Sequence, residues 1–296
     1  MSADALSTPL LSPDFVRELE VLRRRLEVRA RSGMSGEHVA KRRGGSAEFH
    51  EHRPYAAGDD LRRIDWAAYA RSGEPVVKVY RAEEDVVARL LCDCSASLQF
   101  GDPPKIDVAR QLAAAVGYMT LAEAERAQLV VTAGGAVREH RPSRGRSGLP
   151  ALLRVLDAVE PGGATDLATA VDTVVRKSAR PGMLVVVSDF FDAGPVLSSL
   201  TRAALAGHDV VLVQVLAPEE VDPDYEGDWT LEDAETGEQV DLTMDAAAIE
   251  AYVLRFAGLC EELRSWARRH GATYVRCLTS DGLEDTVRRI VSRSID

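Results

Sequence analysis

The residues with the clearest chemical potential are one carboxylate and two hydroxyls within five positions, Asp93-x-Ser95-x-Ser97. They directly follow a short apolar run at 86–92, which is typical of a strand buried on both faces of a parallel sheet. In an open α/β sheet, ligands bind at the loops that leave the carboxyl ends of the strands. Oxygen donors at such a position favour Mg²⁺ or Mn²⁺. Taken alone, the same pattern also fits a serine-rich loop that turns the chain and caps the next helix.

Two later segments offer further oxygen ligands at comparable positions. Thr165 lies at the start of a predicted helix, just after a pair of glycines. Asp189 ends a second apolar strand, predicted at 183–188. If these ends converge at one edge of one sheet, they form a site for one cation. The candidate ligands are Asp93, Ser95, Ser97, Thr165 and Asp189.

This combination resembles the metal-ion-dependent adhesion site of von Willebrand factor A domains, and all five of its positions are filled. The resemblance implies that the three hydroxyls bind Mg²⁺ directly, while the two aspartates bind mostly through water. A cation with so few direct carboxylate ligands is under-neutralised. It can therefore accept an Asp or Glu from a partner protein, and Mg²⁺ keeps water in the open position until that carboxylate arrives.

A second motif lies upstream, where arginine, aspartate and aromatic residues alternate without amphipathic periodicity. Its members are Arg53, Tyr55, Gly58, Asp59, Arg62, Asp65, Trp66 and Arg71. Followed by the Asp-x-Ser-x-Ser strand, this motif resembles domain-of-unknown-function family fifty-eight. These are bacterial von Willebrand A-like proteins that are commonly encoded beside MoxR-type AAA+ ATPases, so the resemblance implies such an ATPase as partner.

Two interpretations of this upstream motif remain open. Its arginines could pair with its aspartates and fasten the segment structurally, or the motif could form an exposed platform for the ATPase. The neighbours of Trp66 are apolar, which favours burial and hence the structural interpretation. A buried Asp65 would then need an arginine partner, because an unpaired buried carboxylate is costly.

The order of elements predicts an α/β fold with a doubly wound, mostly parallel, six-stranded sheet of the von Willebrand A or Rossmann-like type. From residue 86 onward, six strands alternate with helices, and a hairpin joins the second and third strands. A long helix is predicted at 105–127 and the next strand at 129–132. The resemblance implies the strand order 3-2-1-4-5-6, which makes the first and fourth strands neighbours. Asp93 and Asp189 would then face each other across the switch point.

The predicted domains are a flexible tail (1–11), an N-terminal helix-and-strand extension that carries the upstream motif (12–82) and the von Willebrand A-like domain (83–296). The last contains an acidic insertion at 218–248, with twelve carboxylates and no Lys or Arg. Its pattern predicts a β-hairpin that stands off the sheet. The hairpin could meet a basic partner surface or could only increase solubility.

Composition narrows the class of protein. The 296 residues carry a net charge of −11, much of it in the acidic insertion, which argues against nucleic acid binding at that face. The four scattered cysteines fit buried thiols in a reducing compartment. The sequence shows no signal-peptide pattern and no apolar run of membrane-spanning length. We therefore expect a cytoplasmic protein without direct membrane insertion.

Enzymatic activity is not expected. The chain has no phosphate-binding Gly-x-x-x-x-Gly-Lys motif and no Gly-x-Ser-x-Gly nucleophile elbow. A hydrolase that used Asp93 as nucleophile would need an acid two residues later, where Ser95 stands. The sequence therefore predicts a metal-dependent interaction module or adaptor. It would work with a MoxR-type ATPase in assembling or maturing a client that offers an Asp or Glu. The alternative is a Mg²⁺-dependent hydrolase that uses the Asp93 site.

Overall fold

The computed structural model describes residues 10–32, 48–56, 59, 64–81, 87–123 and 125–292. The chain divides into two compact units. The first helix, α1 (Pro13–Ser32), belongs to the larger unit together with everything from residue 87 onward. The Ser12 hydroxyl caps its first turn by accepting the Phe15 N–H at 3.1 Å. The prediction that placed this helix in the N-terminal extension is wrong, since Leu19 and Leu22 are buried in the core of the larger unit. The predicted tail lies mostly outside the described residues.

The smaller unit contains β1 (Glu48–Pro54), α2 (Trp66–Ser72) and β2 (Val76–Arg81). The two strands pair antiparallel. The first was not predicted, because its charged sequence, Glu-Phe-His-Glu-His-Arg-Pro, lacks an apolar alternation. The carboxylate of Asp65 caps α2 by accepting the N–H groups of Ala67 (3.0 Å) and Ala68 (3.1 Å).

Trp66 corrects the sequence prediction. Its side chain is 61% exposed and meets Tyr69, itself exposed, edge-to-face at 6.1 Å. The apolar neighbours that favoured burial lie on the first turn of a short helix with no buried residues. Because Trp66 is exposed, it gives no support to the structural interpretation of the upstream motif. Asp65 keeps a structural role as a helix cap.

The larger unit is built on a central sheet whose helices cover both faces. The prediction of an α/β fold with a doubly wound, mostly parallel sheet is confirmed. The sheet strands are β3 (Val87–Asp93), β4 (Arg126–Ala133), β5 (Ala136–Glu139), β6 (Ser143–Arg144), β7 (Met183–Ser188), β8 (Asp209–Leu216) and β11 (Thr273–Leu278). They follow the order β11-β8-β7-β3-β4-β5, with the two-residue β6 paired to β4. In chain order the six main strands run 3-2-1-4-5-6, as the resemblance implied. Only β5 and β6 are antiparallel to their neighbour.

Helices bury the two faces of this sheet in separate apolar clusters. The connecting helices are α3 (Lys105–Ala122), α4 (Leu149–Ala158), α5 (Leu167–Lys177), α6 (Ala193–Leu205), α7 (Pro218–Val221), α8 (Ala246–His270) and α9 (Leu283–Ser292). The helix predicted at 105–127 ends five residues early, because the chain is already in β4 from Arg126. Gly271 ends α8 in the left-handed conformation (φ 63°).

The acidic insertion contains a two-stranded antiparallel hairpin, β9 (Gly227–Glu232) and β10 (Gln239–Met244). The hairpin was predicted, and it forms a sheet separate from the central one.

Candidate metal site

The carboxylate of Asp93 is the centre of the candidate site. It lies at the last residue of β3, opposite Thr132 in the register with β4, and only 4% of the residue is exposed. Its Oδ1 accepts hydrogen bonds from the Ser95 N–H (3.0 Å), the Thr165 hydroxyl (3.1 Å) and the Thr132 hydroxyl (3.3 Å). Its Oδ2 accepts one from the Ser188 hydroxyl at 2.7 Å. One buried carboxylate thus gathers groups from four separate strand and loop ends.

Backbone hydrogen bonds fix the loop that brings Thr165 to this place. The Gly162 N–H donates to the carbonyl of Cys94 (3.0 Å), and the Ala96 N–H donates to the carbonyl of Gly163 (3.1 Å). Gly163 has φ 63°, and a Cβ there would lie 3.0 Å from the Cα of Gly134. Both the conformation and the close approach require glycine. The glycine pair therefore holds the threonine loop against the serine loop.

The two serines meet each other through their hydroxyls, Ser95 Oγ and Ser97 Oγ, at 2.9 Å. Asp189 lies close enough for its negative charge to raise the pKa of Asp93, an effect second only to burial. All five residues selected from the sequence therefore converge at one edge of the sheet. Asp93 accepts the Thr165 hydroxyl and the Ser95 backbone N–H directly, whereas Asp189 is held by a different partner.

That partner is Lys105, whose ammonium group is the main feature that the sequence interpretation missed. Its Nζ lies 2.8 Å from Asp189 Oδ2 and 2.5 Å from Glu220 Oε1, and the residue is 1% exposed. The rings of Phe191 (5.1 Å) and Phe100 (6.0 Å) lie beside the same nitrogen. Burial raises the pKa of Glu220, although the neighbouring ammonium opposes this shift.

The backbone around Asp189 is also constrained. Its carbonyl accepts a hydrogen bond from the Gln214 side chain at 2.9 Å, and Gln214 is fully buried. The next residue, Phe190, has φ 57°, which is unusual for a non-glycine residue and costs about 1–3 kcal/mol. The buried Phe190 ring holds this strained turn in place. The fold thereby fixes where the Asp189 carboxylate lies.

Some of the missed residues leave a signal in the sequence. Lys105 is the first residue of α3, where a positive charge opposes the helix dipole, so it must be stabilised by something else. Ser188 and Thr132 each end or nearly end a strand at the same edge as Asp93, which places their hydroxyls nearby. Glu220 gives no signal, because it is one of twelve carboxylates in the acidic insertion.

The chemistry of these residues fits a divalent cation of the Mg²⁺ type. The available donors are oxygens, and the ammonium of Lys105 pairs with Asp189 and Glu220 rather than with Asp93. Within the described part of the chain, no three His, Cys, Asp or Glu side chains form a metal-binding cluster. A cation here would therefore depend on serine and threonine hydroxyls and on water. The same hydroxyls are neither acids nor bases near neutral pH, which gives a hydrolase little to use.

Comparison with known proteins identifies the family. The profile of the family described as "Protein of unknown function DUF58" matches residues 51–258. The chain belongs to the DUF58 family. Uncharacterised proteins of Mycobacterium tuberculosis and Mycobacterium bovis are each 32% identical to this DUF58 protein over 288 residues, which cover 95% of this chain and 90% of each relative.

Two of the solved structures that resemble this chain share little sequence identity with it. The conserved hypothetical protein BatB of Bacteroides thetaiotaomicron is 16% identical, with a TM-score of 0.46, over 70% of this chain and 98% of its own. The VWA domain of SpRpn10 is 7% identical, with a TM-score of 0.43, over 71% of this chain and 96% of its own. Both similarities are weak, and the von Willebrand A-like fold is assigned from the strand order given above.

The upstream motif is described only in part. Gly58 and Arg62 lie outside the described residues. Arg53 pairs with Asp59 at 2.7 Å, as the sequence suggested. The backbone N–H of the half-buried Tyr55 donates a hydrogen bond to the Pro75 carbonyl. Arg71 is exposed in the last turn of α2, close in sequence to the exposed Trp66. The motif thus combines internal pairing with an exposed aromatic pair.

None of the helices in the described ranges is long and apolar enough to cross a membrane. All four cysteines are buried and free.

Proposed function

We propose that this DUF58 protein is a metal-dependent protein-interaction module. It would bind one Mg²⁺ or Mn²⁺ at the Asp93 site and use that ion to dock an Asp or Glu of a partner. The observation that carries the proposal is the convergence of groups from four strand and loop ends on one buried carboxylate. The hydroxyls of Ser95, Ser97 and Thr165 are then presented at the carboxyl edge of the sheet. The fold alone supports only the broader role of an interaction module.

The charges around the site support docking of a carboxylate. The three hydroxyls would hold the cation, and Asp93 and Asp189 would assist through water. Lys105 already neutralises part of the negative charge on Asp189. A divalent ion would therefore keep a net positive charge toward solvent and attract an outside carboxylate. When bound, the ion supplies one exchangeable coordination position for that ligand.

Exposed aromatic side chains beside the site suit a protein partner. Phe100 (45% exposed) follows the serine loop, and Phe191 (43% exposed) follows Asp189. Aromatic residues are enriched at protein interfaces, where they supply buried area around a polar anchor. The partner classes follow from the family resemblance: a MoxR-type AAA+ ATPase, and a client whose assembly or maturation the pair assists. Trp66 and Tyr69 in the smaller unit would form a second contact surface.

Calorimetric titration of the metal-free protein with Mn²⁺ tests the site. We expect one binding site in the wild type, which Asp93→Asn abolishes while the fold is kept. Asp192→Asn is the matched control, because Asp192 is an exposed carboxylate that follows β7, and its side chain makes no capping hydrogen bond. Equal Mn²⁺ binding by wild type and Asp93→Asn would show that the assignment is wrong.

The partner is tested with a purified MoxR-type ATPase. Chelation with EDTA also removes Mg²⁺ from the nucleotide of the ATPase, so the Asp93→Asn variant in Mg²⁺ is the cleaner comparison. We expect the wild type and Asp192→Asn to bind the ATPase and Asp93→Asn to bind at least tenfold more weakly, the size of effect expected for about 1.4 kcal/mol. Full binding by Asp93→Asn would exclude docking through the metal.

A further inference from the structure

The acidic hairpin of β9 and β10 has two chemically different faces. Side chains that lie opposite each other in the register of an antiparallel pair project from the same face. On one face, the polar side chains are joined across the strands by hydrogen bonds. The Thr230 hydroxyl donates to Asp241 (2.6 Å), the Thr243 hydroxyl to Asp228 (2.7 Å) and the Gln239 amide to Glu232 (3.0 Å). These polar groups therefore find partners within the hairpin itself.

The opposite face of the hairpin is apolar. It consists of the cross-strand pairs Trp229–Leu242 and Leu231–Val240, and we call these four residues the hairpin face. Trp229, Leu231 and Val240 are exposed, and no apolar cluster in the described part of the chain includes any of the four. The indole N–H of Trp229 already donates to the Glu226 carbonyl at 3.0 Å. A two-stranded hairpin is only marginally stable alone, so covering this face would stabilise it.

A groove of complementary character lies between the β4–β5 hairpin and α4. Its volume is about 440 Å³, and the residues that line it are apolar or basic. We call it the basic groove; its apolar lining includes Val131, Val155 and Val159, and its basic lining is Arg138, His140 and Arg154. An apolar floor with a basic rim suits an apolar surface that is bordered by carboxylates.

The charges of the two surfaces are opposite. Arg138 and Arg154 are exposed, and no carboxylate of the described residues pairs with either. The 18 residues of the hairpin, 227–244, contain six carboxylates and no Lys or Arg. Opposite charges at the rim of an interface steer association and fix its register. The basic groove therefore favours the hairpin over a neutral apolar segment.

We propose that the hairpin face of one copy of this chain packs into the basic groove of a second copy. The hairpin face is exposed in the single chain, so it does not fill the groove of its own copy. The two surfaces also belong to different parts of the sheet, since the hairpin follows β8 and the groove adjoins β5, four strands along. Contact between two different surfaces of identical chains is head to tail and leads to rings or open chains. The small size of the hairpin face predicts a weak, transient association.

Complementation between two variants tests this contact by sedimentation velocity. Leu231→Ser removes apolar area from the hairpin face, and Arg154→Glu reverses a charge at the groove. We expect the wild type to self-associate as its concentration rises, and each variant to do so at least tenfold more weakly. An equimolar mixture of the two variants should form dimers with the affinity of the wild-type contact. The reason is that the intact hairpin of Arg154→Glu meets the intact groove of Leu231→Ser.

Matched controls make the same chemical changes elsewhere. Leu205→Ser alters an exposed leucine at the end of α6, and Arg176→Glu alters an exposed arginine of α5. Both should self-associate as the wild type does. If Leu231→Ser melts at a lower temperature than the wild type, Val240→Ser on the partner strand replaces it. High salt should weaken the wild-type contact, because the rim charges are screened.

Three results would overturn the proposal. The wild type could remain a monomer at near-millimolar concentration, or either variant could self-associate as strongly as the wild type. The mixture could also fail to dimerise, which would show that the hairpin meets another surface, such as a second hairpin. Self-association needs no metal, so it should persist in EDTA and in Asp93→Asn. Failure of this proposal therefore leaves the proposed metal-dependent function intact.

Discussion

Lys105→Met should destabilise the protein strongly, because it strands two buried carboxylates. Methionine keeps the unbranched side chain and the apolar contacts with the phenylalanine rings, but it removes the ammonium. Asp189 and Glu220 then lose a partner at 2.8 Å and 2.5 Å respectively. Removal of one member of a buried ion pair typically costs about 3–5 kcal/mol.

The exposed pair Lys177–Glu139 supplies the control for this estimate. Its N–O distance is 2.7 Å, almost the same as that of the buried pair, but the Lys177 side chain is 66% exposed. Exposed pairs contribute about 0.2–1 kcal/mol, so Lys177→Met should have little effect. The two variants make the same chemical change, but Lys105 is buried and pairs with two carboxylates, whereas Lys177 is exposed and pairs with one.

Differential scanning calorimetry measures both variants. For a unit of this size, 3–5 kcal/mol corresponds to a fall in Tm of about 6–20 °C. Addition of Glu220→Gln to Lys105→Met should recover part of the loss, because it removes one of the two stranded charges. The reasoning is refuted if Lys105→Met melts within a degree or two of Lys177→Met.

Three further predictions concern other parts of the molecule. In EDTA, the free energy of unfolding should fall as the pH rises from about 4 toward 7, because burial and the charge of Asp189 raise the pKa of Asp93 and the native state therefore keeps a proton that the unfolded state releases. Urea unfolding of Asp93→Asn should show a flatter pH dependence than that of the wild type. An unchanged slope would contradict this. Asp65→Ala should lose a helix cap worth about 0.5–2 kcal/mol, whereas Asp65→Asn should retain it. Urea unfolding compares the two variants, and equal midpoints would show that the cap is unimportant. Replacement of 227–244 by a short turn should change Tm little, because this hairpin is almost entirely exposed; a large fall would show that it is packed.

The sequence predicted the sheet well because its signals there are local. Each of β3, β7 and β8 is a short run of apolar, largely branched residues that is buried almost throughout. The ends of such strands are easily located, so residues that follow them, such as Asp93 and Asp189, could be assigned to one edge. The strand order could be predicted because the family resemblance supplied it.

The parts that sequence analysis missed depend on distant contacts. Lys105 and Glu220 are 115 positions apart and meet only when the sheet is assembled. Trp66 was placed in the interior from its apolar neighbours, but a seven-residue helix with no buried residues cannot bury it against its own turn.

The most direct measurement is a crystal structure of the protein with Mn²⁺, with anomalous diffraction used to locate the metal. We expect one peak among the oxygens of Asp93, Ser95, Ser97 and Thr165, with the hydroxyl oxygens at distances near the ~2.1 Å typical of Mg²⁺-type sites. A peak elsewhere, or no peak at this edge of the sheet at saturating Mn²⁺, would contradict the account.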